Sequence, residues 1–393
     1  MKIVLATKLF IPIDGSAEGL VNFAISLKEL GHSITVVLIF PPATDNQYFR
    51  RLQQAGIPVI SVTDHPFNTI LRIVRRAARL GGGLFRQFLA EDLTGQTLRW
   101  ILRRLNPDLL HVVRFDSMTR TFIRAGHARR LPVLFHETST PTYVERTERG
   151  ETGVIEMLQS CHRIAALSPC VAKQVTEQLG DDVPVSVVPL FSFPPPAAAT
   201  TNNGNRELVR FGFAARVETK KGVREMIEAF AGLAQQNPNV RLKVVGDGDQ
   251  KPEIIERAKT LGVAEACEFL PTYVGEEERL RFMHSIDVLL LPSYIEGTPN
   301  SIIEAMALSL PVVASAVGGI PDMVSEQSGR LVPAGDARAL EQAMAEVAAD
   351  AELRNQMGKV GRQHYEARYS PQAVVPMLLD AYEKMMAGKS VTQ

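Results

Sequence analysis

Apolar residues along this chain come in short unbroken runs, separated by stretches with helical spacing. KIVLA at 2–6 is followed by a glycine-containing loop, by EGLVNFAISLKEL with apolar positions every three or four residues, and by ITVVLIF at 34–40. A strand with one wet face alternates apolar and polar residues, so continuous runs predict strands buried on both faces of a parallel sheet. PVISV at 58–62, DLLHVV at 108–113, PVLFH at 132–136, RIAAL at 163–167 and VSVVP at 185–189 fit the same sheet.

The segment FSFPPPAAATTNNGNREL concentrates Pro, Ala, Thr, Asn and Gly without periodicity and reads as a linker. The alternation then restarts: LVRFGFAAR, a helix near 222–236, VRLKVVG, a helix near 251–261, CEFLP, a helix near 276–285, VLLLPS, a helix near 299–309, and PVVASAV. The pattern predicts an α/β protein of two Rossmann-like doubly wound domains, 1–190 and 207–365, joined by a linker at 191–206. A last helix within 366–393 is expected to return to the first domain. In such sheets ligands bind at the carboxyl ends of the strands, and here also in the cleft between domains.

Composition narrows the function classes. Of 393 residues 45% are hydrophobic and 22% charged, which excludes a disordered chain, and 43 basic side chains balance 43 acidic ones, which argues against a general nucleic-acid binder. The balance hides an asymmetry: residues 1–200 carry +5 and the remainder −5. Much of the excess lies where Arg72, Arg75, Arg76 and Arg79 share one helical face, read either as a solvated face or as a surface for anionic lipid headgroups or an anionic acceptor. Three cysteines without a C-x-x-C pair suggest neither a disulfide framework nor a zinc cluster. With no apolar run long enough to span a bilayer and no apolar core of a signal peptide, the expectation is a cytosolic protein, with the arginine face as a route to the inner membrane surface.

The strongest local signal is SYIEGTPNSIIEAMALSLPVVAS at 293–315. Thr298 suits a helix cap and Pro299 a first turn, while Asn300, Ser301 and Glu304 share a face. Glu304 is thus a carboxylate on an otherwise apolar helix, with Glu296 in the loop before it; such a group either binds hydroxyls or amides, or is solvated or ion-paired.

Glu296 and Glu304, preceded by LLPS and followed by AMALSLPVVAS and VGGIP, give a pattern that resembles the retaining, nucleotide-sugar-dependent glycosyltransferases of family 4, which have the GT-B fold of two facing Rossmann-like domains. FAARVETKKG resembles that family's phosphate-binding stretch, with Arg216 and Lys221 in its diphosphate positions. The resemblance implies that Glu304 binds the ribose, that Glu296 contacts the transferred sugar, and that Gly297, Thr298, Pro299 and Asn300 face sugar or phosphate at a helix N-terminus. Gly246 and the loop with Thr272 and Tyr273 complete the expected donor site. Arg216 and Lys221 would offset the charge of the departing diphosphate, so neither a metal nor a cofactor is expected, and the donor is expected to be UDP- or GDP-linked.

In the first domain Gly15 and Ser16, in the loop PIDGSAEGL, can approach the donor phosphate or the acceptor. His136 matches the position of the family's histidine beside the reacting sugar and joins Glu296, Arg216 and Lys221 as the expected catalytic set. His111, Arg114 and Glu137 are the candidate acceptor residues. Asp247-Gly248-Asp249 has the form of a metal-binding D-x-D but falls in a turn after a strand, and Lys251 stands where a dinucleotide fingerprint requires its third glycine. The chain departs from the family at Pro189-Leu190-Phe191, where Asn-Gly is usual, at Ala215 and at Pro271. The activity implied is transfer of a hexose-like sugar to a glycan or glycolipid hydroxyl. A nucleotide-sugar 2-epimerase and a non-catalytic nucleotide-sugar-binding protein are the alternatives.

Overall fold

The apolar runs become strands in a computed structural model that describes residues 1–11, 15–64, 83–193, 208–273 and 275–387, the side chains of 83–92 excepted. Two compact units result: Met1–Val188 together with Val375 onward, and Pro189–Val374. The arginines at 72, 75, 76 and 79 lie outside the described residues, as does most of the expected linker. Its first residues are packed rather than loose, however: Phe191 and Ser192 are buried, and the Ser192 carbonyl accepts a hydrogen bond from Tyr365 at 2.8 Å.

The N-terminal unit holds strands β1 (Lys2–Thr7), β2 (Ser33–Leu38), β3 (Val59–Ser61), β4 (Leu109–Val113), β5 (Val133–Glu137), β6 (Arg163–Ala166) and β7 (Val185–Val187). All pairings are parallel, in the order β3-β2-β1-β4-β5-β6-β7. β1, β4 and β5 lie mid-sheet and are buried almost throughout, as their unbroken apolar runs require. Leu98, Ile101 and Leu102 on the helix Gly83–Leu105, with Phe122 and Ile123 on the helix Thr119–Ala128, cover part of this core. The helix Gln47–Gln54, which the hydrophobic pattern leaves unannounced, is specified by its cap: the Asn46 side chain accepts from the backbone of Tyr48 and Phe49.

The second unit holds β8 (Val209–Ala214), β9 (Val240–Val245), β10 (Cys267–Leu270), β11 (Val288–Leu291), β12 (Val312–Ser315) and β13 (Gly329–Val332), again all parallel, in the order β10-β9-β8-β11-β12-β13. In each sheet the strand order reverses once, between β1 and β4 and between β8 and β11. A crevice opens outside the carboxyl ends of the strands at such a reversal, and it is where doubly wound sheets take their ligands.

The final helix, Pro371–Ala387, starts in the second unit and from Val375 belongs to the N-terminal one. Among the described residues no helix is long and apolar enough to cross a membrane.

Candidate functional site

The loop after β8 carries Arg216 and a short 3-10 turn, Thr219–Lys221; the loop after β11 carries Ser293 to Thr298. They meet across the strand-order reversal. Lys221 Nζ lies 2.6 Å from Glu296 Oε1, with their side chains only 15% and 9% exposed, and Ser293 Oγ donates to the same oxygen at 2.7 Å. The Tyr294 amide donates to the Lys220 carbonyl at 2.9 Å. Two glycines permit close packing here, Gly222 between the β8 and β11 loops and Gly318, after β12, against the β11 loop. Gly222 has φ +65, and a Cβ there would fall 1.9 Å from the Pro292 carbonyl oxygen; Gly318 has φ +54, and its Cβ would fall 1.7 Å from that of Glu296. Only glycine fits either position. Arg216 is more open, 57% exposed, and pairs with Glu218 at 2.7 Å.

The helix that follows runs Asn300–Ala307 and corrects the expected cap. Pro299 is its N-cap, without a side-chain cap bond, and Thr298 is buried with its hydroxyl oxygen unpartnered. The helix also stops short of 309, where Ser309 takes φ +57. Glu304 is 9% exposed, flanked by buried Ile303 and Ala305. Its Oε1 accepts from Nη1 of Arg279, on the helix Glu276–His284, a side chain only 13% exposed. Arg279 went unnoticed in the sequence because EEERLRFMH reads as a solvated charged run.

Gly246 sits at the end of β9, buried against Ala215. The Thr272 amide lies 3.4 Å from Asp247 Oδ2, and Tyr273 is half-buried beside it. Asp247 is an exposed carboxylate paired with Lys251 at 2.9 Å, and Lys251 also donates to the carbonyls of Gly246 and Leu270. These bonds, the largest being that from Lys251, hold the Asp247 carboxyl below its ordinary pKa. Among the described residues no group of three or more His, Cys, Asp and Glu is arranged to hold a metal ion.

The N-terminal unit revises the expected acceptor side. His111 and His136 share a sheet face, two register positions apart on β4 and β5, and both are 0% exposed. Their rings stack with centroids 5.4 Å apart. Tyr382 Oη lies 2.7 Å from His111 Nδ1, His111 Nε2 lies 3.3 Å from His136 Nδ1, and His136 Nε2 lies 2.9 Å from the Val188 carbonyl oxygen. Burial holds the His136 pKa down to about 4, and burial reinforced by His136 holds His111 well below its ordinary value, so both rings are neutral. A carbonyl only accepts, so His136 Nε2 carries the proton and Nδ1 accepts from His111 Nε2–H. His111 Nδ1 then accepts from the Tyr382 hydroxyl. The three bonds form a one-way relay inside the core, so neither histidine presents a ring nitrogen to a ligand here.

Glu137 is likewise closed off, 1% exposed and accepting from the Ser139 amide and hydroxyl at 3.0 and 2.7 Å and from Tyr143 Oη at 2.6 Å. Burial raises its pKa, partly offset by those bonds. Arg114 differs. It stands half-exposed at the end of β4 with φ +77, its amide bonded to the His136 carbonyl at 3.0 Å. Gly15 opens the helix Gly15–Glu29, and Ser16 Oγ lies 2.8 Å from Thr138 Oγ1, after β5. Of the expected first-domain residues, Gly15, Ser16 and Arg114 reach the surface at strand ends, whereas His111, His136 and Glu137 are core.

Residues 201–364 match the family described as glycosyl transferases group 1, and residues 14–190 match the glycosyl transferase 4-like domain. The D-inositol 3-phosphate glycosyltransferase of Corynebacterium urealyticum is 30% identical over 316 residues, 75% of this chain and 70% of that protein. The enzyme of the same name from Saccharomonospora viridis is 31% identical over 192 residues, 46% of this chain, and the match spans only 44% of that relative's length. The amylovoran biosynthesis glycosyltransferase AmsK of Erwinia amylovora is 38% identical over 133 residues, 32% of each chain. Among solved structures, Anabaena Alr3699/HepE in complex with UDP and glucose superposes with a TM-score of 0.76 at 18% identity, covering 98% of this chain and 99% of that one. With two parallel doubly wound units and matches in both halves, the chain belongs to the group 1, family-4-like glycosyltransferases of GT-B fold.

Proposed function

We propose that the protein is a retaining glycosyltransferase that moves a hexose-like sugar from a UDP- or GDP-linked donor to a hydroxyl of a glycan or glycolipid. The observation that carries this reading is the Lys221–Glu296 ion pair across the β8/β11 reversal, backed by Arg216 and by the start of the helix Asn300–Ala307. Arg216 and Lys221 place two cations where a leaving diphosphate accumulates charge. The helix N-terminus and the unpartnered Thr298 hydroxyl add donors for phosphate or sugar oxygens. Glu304 accepts from the ribose, Glu296 from the transferred sugar, and the Thr272–Tyr273 loop meets the base. With His136 engaged in the core, the proton of the acceptor hydroxyl passes to an oxygen of the donor diphosphate, on the face from which the leaving group departs. The amylovoran relative, named for polysaccharide assembly, supports the acceptor class.

The test is proton NMR of the purified protein with a panel of UDP-, GDP- and ADP-sugars, without metal or acceptor. Saturation transfer to one donor with slow release of its sugar and nucleoside diphosphate is expected. Epimerised donor would replace the transferase with an isomerase, and a lack of binding to every donor would sink the donor site.

A further inference from the structure

On the donor reading, Glu304 has to accept hydrogen bonds from ribose hydroxyls, which requires a charged carboxylate held in one orientation. On its own helix Glu304 lies among buried Ile302, Ile303, Ala305, Met306 and Ala307. A cationic partner comes from another element. Arg279 projects from the helix Glu276–His284 onto Glu304 Oε1, and both side chains are nearly nine-tenths buried. Glu276, on the helix of Arg279 itself, is 3.8 Å away and half-exposed, so of these two carboxylates Glu304 is the closer and drier partner. A planar guanidinium fixes the plane of the carboxylate it meets, and an ionised carboxylate has about four lone-pair sites, enough to serve an arginine and two hydroxyls together.

We infer that Arg279 is a positioning residue for donor specificity: through its ion pair it fixes the orientation of the Glu304 carboxylate, and so makes the site select ribonucleoside over deoxyribonucleoside diphosphates. This rests on the donor reading above and deepens it. Arg279 acts through Glu304 and touches neither the transferred sugar nor the scissile bond.

The experiment is calorimetric titration of UDP and GDP, and of their 2′-deoxy and 3′-deoxy counterparts, into the full-length protein and its Arg279→Leu, Arg279→Lys and Glu304→Gln variants. The parent is expected to favour the ribonucleotide by about ten- to a hundredfold, the range for a hydrogen bond to a charged group. Arg279→Leu should lose most of that preference through weaker ribonucleotide binding, with deoxynucleotide binding unchanged, and Arg279→Lys should recover much of it. Adding Arg279→Leu to Glu304→Gln should change nothing further. Full ribose preference in Arg279→Leu, or an equal loss of both nucleotide types, would overturn this inference and leave the donor site standing. Failure of the parent to bind UDP or GDP would overturn the donor reading and this inference with it. Should Arg279→Leu not fold, Arg279→Gln, which keeps length without charge, gives the same comparison.

Discussion

Both units are all-parallel sheets with a single order reversal, yet they handle their polar residues in opposite ways. In the second unit charged side chains gather on the loops beyond β8 and β11, paired with each other and still partly open. In the N-terminal unit two of the most chemically capable residues, His111 and His136, are drawn into the sheet and spend their hydrogen bonds on Tyr382, each other and the Val188 carbonyl. The same architecture therefore yields a charged rim in one half and a satisfied polar core in the other. The side chains carried on loops beyond the strands stay partly open, and those held within the ladder are buried.

The sharpest way to break this contrast is Lys221→Ala, expected to lower turnover roughly a hundred- to a thousandfold, as removal of an electrostatic contact to a transition state does. Circular dichroism and melting should stay near the parent's, and near-normal rates would place the diphosphate elsewhere. The N-terminal relay should answer in stability instead. His111→Leu leaves the Tyr382 hydroxyl and His136 Nδ1 buried without partners, and urea unfolding should show a loss of roughly 2–6 kcal/mol, at about 1–3 kcal/mol per unsatisfied group.

The relay also predicts a pH dependence. Burial lowers the histidine pKa values in the folded state, so between about 4 and the unfolded value of 6.5 the unfolded chain binds more protons. Stability from neutral burial is thus complete above 6.5 and is lost as pH falls towards 4, with His136 alone worth roughly 2 kcal/mol between pH 7 and 5. A flat urea-unfolding profile across that window would mean that the rings are not held neutral. Gly318→Ala sharpens the other side: the clash with the Glu296 carbonyl adds to a left-handed penalty of about 1–2 kcal/mol, whereas Gly31→Ala, with φ +83 and nothing within 4 Å, should show only the penalty. Smallest of all is Asp247→Asn, where the exposed carboxylate's pair with Lys251 should contribute under about 1 kcal/mol and whose activity, like the parent's, should persist in EDTA.

How much could be read in advance follows the same division. Strands β1, β2, β4, β5 and β6 were legible because burial on both faces forces continuous apolar runs, and the Glu296–Glu304 segment was legible because loop and helix lie together in sequence. What escaped depends on register and on partners distant in the chain. That His111 meets His136 follows from the β4/β5 register, and that Tyr382 completes the relay depends on a residue 271 positions away. Arg279 looked solvated until Glu304, 25 residues on, supplied its neighbour. Thr298 was misread as a cap because a Thr before a Pro fits that role locally; the backbone places Pro299 there instead.

The helix Pro371–Ala387 carries a consequence for how the molecule is made. The chain from Val375 belongs to the N-terminal unit, and His111 Nδ1 is bonded by the Tyr382 hydroxyl. During synthesis, at roughly 5–20 residues per second, β1 to β7 emerge tens of seconds at most before the segment that completes their core. The first unit to be translated is then the last to be finished: Pro189–Val374 is contiguous and can close on itself, while the N-terminal sheet waits with two neutral histidines short of a hydroxyl.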